Sequence, residues 1–166
     1  MKDYIKIGID KKLIDIIDDG KKILYTHQNK KYNYKDPEEQ VRASYYIELV
    51  ERYEYPPQRI NFEIPIPRRI QGDYADIVVF KDDEQKEPYI VVECKKDAIS
   101  DAEFLQAIEQ AFGNANNLNA HFISVVSGIT IKSFNLKDFK PLERVLNIIS
   151  DIPKKYGKVS KAKYLK

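Results

Sequence analysis

Apolar residues recur along this chain with two different periods, and the changes of period outline its elements. Residues 59–66 alternate, which places Ile60, Phe62, Ile64 and Ile66 on one face of a strand. Pro65 and Pro67 mark a sheet edge or the end of that strand. Two continuous apolar runs follow, residues 77–80 and 89–92, joined by the turn residues Asp82, Asp83, Glu84 and Pro88. They read as a hairpin of strands buried on both faces. Residues 121–127 and 129–134 form a second hairpin around Gly128.

Helical spacing dominates elsewhere. Asp36 is a good N-cap, Pro37 suits the first helical position, and Glu38 and Glu39 favour the first turn. Val41, Tyr45, Leu49, Val50 and Tyr53 keep the helical period until Pro56 and Pro57. Residues 97–119 predict a long helix, capped by Ser100 or Asp101, with Phe104, Leu105, Ile108, Ala111, Phe112, Ala115 and Leu118 as its apolar stripe. Residues 142–149 predict a short C-terminal helix. Before residue 36 the pattern suggests a strand over 4–9, an amphipathic stretch (Leu13, Ile14, Ile16, Ile17) and a polar, tyrosine-rich segment to Lys35. The order α-β-β-β-α-β-β predicts an α/β fold with a central mixed sheet of about five strands flanked by helices. Three segments are expected: an N-terminal extension (1–35) packing on the core, a main domain (36–150), and a basic C-terminal tail or linker (151–166).

Charge changes this picture in one respect. The net charge of +2 is the sum of +4 over residues 1–35, −9 over 36–131 and +7 over 132–166. An acidic middle between basic ends suits a metal site among phosphate-attracting arms, or equally a domain with solubilising tails. The single Cys94 excludes an internal disulfide and, with no signal-peptide or membrane-spanning pattern, points to the cytoplasm. Two histidines, His27 and His121, with one cysteine are too few for a convincing zinc site, so any metal is expected to be held by oxygen.

The candidate chemistry lies in the first hairpin. Symmetric closure about Glu84–Gln85 sets Asp76 opposite Glu93, and Lys95 shares a strand face with Glu93. Opposed carboxylates repel, and a divalent cation between them resolves the repulsion. Two carboxylates holding a metal beside a lysine suit phosphodiester hydrolysis. The bland alternative is a cross-strand surface ion pair, which the buried character of both strands disfavours.

Asp76, sixteen intervening residues and Glu93-Cys94-Lys95 resemble the signature of the PD-(D/E)XK nuclease superfamily. With Pro37-Glu38-Glu39-Gln40-Val41-Arg42, residues 75–80, residues 91–95 and Glu109-Gln110-Ala111-Phe112, the stretch from Asp36 to about Phe134 is similar to the N-terminal nuclease domain of type I restriction enzyme R subunits. The resemblance implies a restriction-endonuclease-like core. It also implies that Asp76, Glu93 and the Cys94 backbone carbonyl ligate Mg²⁺ (with Mn²⁺ substituting), and that Lys95 is the catalytic lysine. Glu39 matches an acidic residue that supports the metal shell, with Glu38 as the neighbouring alternative. Gln110 matches the glutamine that follows the lysine motif, and Gln106 stays open because Asn114 stands where the motif has tyrosine. Ala75 stands where the superfamily name has proline.

The implied activity is metal-dependent endonuclease cleavage of DNA. The implied partners are DNA, a translocating motor domain and methylation and specificity subunits, on which cleavage is expected to depend. No phosphate-loop motif of a motor is present in these residues, so an excised domain and a stand-alone relative both fit. Arg68 and Arg69 are candidate phosphate contacts. The rival reading keeps the fold as a catalytically inactive module for nucleic-acid binding or protein docking.

Overall fold

The computed structural model describes residues 2–67, 73–136 and 147–157. Its centre is a six-stranded sheet in sequential order: β4 (Ile60–Pro65), β5 (Tyr74–Phe80), β6 (Pro88–Lys95), β7 (Phe122–Ser127), β8 (Thr130–Asn135) and β9 (Ile148–Ile149). All neighbouring strands pair antiparallel except β6 and β7. Parallel strands need a crossover, and helix α3 (Asp101–Leu118) supplies it. Ser100 accepts a hydrogen bond from the Glu103 N–H while Glu103 reaches back to the Ser100 backbone, so the helix start is a capping box. The sheet is therefore the expected mixed α/β core, one strand larger than predicted.

Helices cover both faces. Helix α2 (Pro37–Glu51) starts at Asp36, whose side chain accepts from the Glu38 N–H. It packs against the face carrying Phe62, Ile77, Val79, Ile90 and Val92. Helix α3 covers the opposite face through Phe104, Ala107, Ala111, Phe112 and Ala115, against Val78, Val91, Ile123 and Val125. Burying each of the larger side chains among these (Phe, Ile, Val) stabilises the fold by roughly 1.5–3 kcal/mol.

Residues 2–36 are more structured than their composition suggests. Residues 4–9 are not a strand: Tyr4–Asp10 form helix α1, capped by the Asp3 side chain. Alternating isoleucines over so short a window do not distinguish period 2 from period 3.6. Gly8 decides the packing, because a Cβ there would lie 2.6 Å from Ile47 Cδ1 of α2. Then come β1 (Ile14–Ile17), β2 (Lys22–Tyr25) and β3 (Lys30–Asn33), a separate antiparallel meander not foreseen from the sequence. Its Ile14, Ile23 and Tyr25 are buried in the α2-side core.

Three further expectations change. Within the predicted helix 142–149, Ile148 and Ile149 pair with Phe134 and Ser133 as strand β9, and residues 142–146 lie outside the described residues. Leu105 is exposed and not part of the α3 stripe. Residues 151–157 do not leave the core as a tail: Ile152 and Pro153 are buried, and the Tyr156 hydroxyl donates to the Phe80 carbonyl at 2.5 Å.

The β4 prediction fails instructively. Ile60 and Phe62 face α2, whereas Ile64 and Ile66 lie on the α3 side. Residues two apart should share a face. The switch falls at Glu63, whose φ of +52° is outside the strand region. The partner strand switches at the same level, with Ile77 on the α2 side and Ala75 on the α3 side. The ladder runs Phe62↔Ile77 and then Ile64↔Ala75, omitting the step between Glu63 and Asp76.

Candidate active site

Asp76 stands at this interruption. The β5–β6 register passes through Val78↔Val91 to Ile77↔Val92, and one more step in the same register sets Asp76 across from Glu93. That is the predicted juxtaposition, reached despite a register shift nearer the turn, between Val79 and Phe80. The Asp76 side chain closes the hairpin end: its Oδ2 accepts from the Cys94 N–H at 2.7 Å. Cys94 is buried in the α2-side core. Its side chain is a small core residue, and its thiol is pushed up first by burial and then by Asp76.

Glu93 is only 3% exposed, yet its Oε2 has no hydrogen-bond partner among the described residues. Its Oε1 lies 3.8 Å from Lys95 Nζ. Burial, then the Asp76 carboxylate, push the Glu93 pKa up to about 9, against the opposing pull of Lys95. Burial also raises Asp76, and the Cys94 N–H and Arg42 work the other way. Two acids this close cannot both ionise without compensation, so the pair retains positive charge, either as a shared proton or as a cation.

The two acidic residues of the first α2 turn have different surroundings. Glu39 is buried with both oxygens engaged: Arg42 Nη2 donates to Oε1 at 2.5 Å, Arg42 Nε donates to Oε2 at 3.0 Å, and the Tyr25 hydroxyl donates to Oε2 at 2.5 Å. Glu38 is half-buried, its carboxyl raised by burial, lowered by Lys95 and raised again by Asp76. Glu38 lines a cavity of about 150 Å³ with Glu39, Arg42, Glu63, Asp76 and Cys94. It also lines a second cavity of about 180 Å³ with Lys95, Lys96, Glu103, Gln106 and Gln110. The structure thus brings Asp76, Glu93, Lys95 and Glu38 together, and sets both glutamines beside Lys95 at the exposed edge of α3. Arg68 and Arg69 lie outside the described residues.

Sequence reasoning missed Arg42, Tyr25 and Glu63. Arg42 is buried, and its Nη1 donates to the Asp76 carbonyl at 3.3 Å. Its Nη2 lies 3.5 Å from Glu63 Oε1, and its guanidinium sits 4.3 Å from the Tyr32 ring centroid. Burial works against the Arg42 charge, but the Glu39 hydrogen bonds outweigh it and hold the group above its ordinary range. The available signal was the Glu39-x-x-Arg42 spacing, which places opposite charges on one helix face.

The donor chemistry fits a hard divalent cation. Its charged donors are carboxylate oxygens, Glu93 Oε2 is buried with no hydrogen-bond partner among the described residues, and no histidine lines the cavity. Among the described residues, no three His, Cys, Asp or Glu side chains gather into a complete metal cage. Mg²⁺ rarely needs one, because it usually binds through one or two carboxylates and keeps several waters.

Among known families, the model of the type I restriction enzyme R protein N terminus (HSDR_N) matches residues 37–153. That span includes α2, the central sheet and every candidate site residue named above except Tyr25 and Tyr32. No curated protein matches the chain.

Proposed function

Because this chain belongs to the type I restriction enzyme R protein N-terminal family, we propose that it is a metal-dependent endonuclease domain that hydrolyses DNA phosphodiester bonds, with Asp76, Glu93 and Lys95 as its centre. The observation that carries the proposal is the Glu93 carboxyl: buried, opposite a second carboxylate close enough to share a proton with it, with Oε2 given no donor by the described residues and a lysine 3.8 Å from Oε1. A fold tolerates such a group where a cation completes it.

Asp76, Glu93 and the Cys94 carbonyl would hold Mg²⁺ or Mn²⁺, which supplies phosphate polarisation and water activation when bound. Lys95, half-buried at the mouth of the second cavity, orients the attacking water and offsets negative charge building on the phosphate oxygens. Glu38 is better placed than Glu39 to act at the reacting centre, since both Glu39 oxygens are committed to Arg42 and Tyr25. Gln106 and Gln110 line the substrate side of Lys95, where either amide can donate to a phosphate. The family sets this chemistry in a restriction complex, in which motor, methylation and specificity subunits would govern cleavage.

The test is Mn²⁺ binding by calorimetry on wild type and Asp76→Ala, beside a plasmid-nicking assay with Mg²⁺ or Mn²⁺. Binding and nicking that both vanish in the variant support the nuclease reading. Binding without nicking in wild type identifies an intact site that awaits its partners. A folded wild type that binds no Mn²⁺ makes the inactive module the better reading.

A further inference from the structure

We infer that the N-terminal meander β1–β3, which lies wholly outside the span matched by the family, is part of the positioning machinery of the candidate site. It acts through Arg42 on the backbone of Asp76, and the inference rests on the metal-site reading above.

Where β4 and β5 change face, the sheet does not supply the pairing between Glu63 and Asp76. The Asp76 carbonyl is instead satisfied by Arg42 Nη1 at 3.3 Å. This part-buried carbonyl therefore has a side-chain donor at the step where the β4–β5 ladder is interrupted. The same guanidinium reaches Glu63, the residue with positive φ, at 3.5 Å. One side chain therefore spans both halves of the switch, and the Asp76 carboxylate is aimed at the Cys94 N–H from that backbone.

Arg42 is in turn held by the meander. Tyr32 of β3 lies under its guanidinium at 4.3 Å, a cation–π contact that strengthens on desolvation. Tyr25 of β2 donates to the Glu39 oxygen that also receives Arg42 Nε. Lys30 of β3 donates to the Phe62 carbonyl at 2.7 Å, one residue before the switch. The meander thus touches Arg42, its counter-ion and the β4 backbone at the level where Asp76 is set.

Tyr25 and Arg42 are positioning residues in this scheme, and neither is assigned contact with a substrate. Supporting contacts behind metal ligands typically change affinity about 10- to 100-fold when removed. The experiment measures Mn²⁺ affinity by calorimetry, with thermal unfolding, on the full chain carrying Tyr25→Phe and, separately, Arg42→Lys. Tyr25→Phe keeps the ring that packs 4.2 Å from Phe62 and removes only the hydroxyl. Arg42→Lys keeps the charge and removes the fork.

The expected result is a Mn²⁺ affinity weakened about tenfold or more in each variant that stays folded. Glu39→Gln, which keeps an oxygen for the tyrosine, should weaken it less than Tyr25→Phe and Glu39→Gln combined. Unchanged affinity in a folded Tyr25→Phe overturns the inference while leaving the nuclease reading intact. A wild type that binds no Mn²⁺ removes the reading beneath it, and the inference falls with it.

Discussion

Glu93 ties the stability of the metal-free domain to pH. The unfolded chain releases this proton near 4.5, whereas burial followed by the Asp76 carboxylate holds it in the fold up to about pH 9. Between those values the native state binds one proton more than the unfolded state. Stability must then fall as pH rises, by about 1.4 kcal/mol per pH unit. The favourable contribution is complete below the unfolded pKa and is lost on the way to the folded one. From pH 5 to pH 8 the loss amounts to about 4 kcal/mol, a large share of the roughly 5–15 kcal/mol typical of a domain.

Glu93→Gln keeps the shape of the side chain and removes one of the two coupled acids, so the comparison with wild type reads the pair's contribution, with Asp76 left as the remaining titrating group. Urea unfolding at pH 5, 6, 7 and 8 with EDTA should show the variant gaining about 4 kcal/mol on wild type across the window and becoming the more stable protein at pH 8. Adding Mn²⁺ at pH 8 should stabilise wild type and leave the variant almost unchanged, since ligand binding raises stability only where the folded state holds the ligand. Parallel pH profiles for the two proteins would refute the coupled-carboxylate account of the site.

Three further outcomes follow from the same geometry. Lys95→Ala should retain Mn²⁺ binding, because Lys95 competes with a cation for Glu93, while nicking falls by about 100-fold or more; calorimetry and the plasmid assay check the two halves separately. Arg42→Ala should destabilise the domain by roughly 3–5 kcal/mol in urea unfolding, since it strands the buried Glu39 charge. Gly128→Ala should lower the melting temperature by several degrees: its φ is +58°, and a Cβ there would meet Asp97 Oδ1 at 2.2 Å, so a loss of about 1–2 kcal/mol is expected.

Much of the central site is legible in the chain because it depends on local rules. The Asp76–Glu93 juxtaposition needs only the length of one hairpin and the two-residue period of strands, and the register shift near the turn does not reach it. The start of α2 follows from Asp36 and Pro37, and that of α3 from Ser100 and Glu103, since capping is decided within four residues. The face of β4 is legible only as far as Phe62. Beyond it, alternation is broken by Glu63, a residue type that gives no warning of positive φ.

What the amino-acid order determined alone is therefore the pairing of Asp76 with Glu93, the starts of α2 and α3, the Gly128 turn and the placement of two carboxylates and a lysine at one end of the hairpin. Tertiary structure decided the rest. It set the helix over residues 4–10 against α2, with Gly8 close to Ile47, and it drew Ile148 and Ile149 into the sheet beside β8. It also separated Glu38 from Glu39, two adjacent acids with identical local credentials, by bringing Tyr25 from fourteen residues away and Arg42 from the next helical turn onto only one of them. Periodicity and capping act over a few residues, whereas which buried charge receives a partner depends on contacts across the whole chain, and such contacts leave no periodic trace in the sequence.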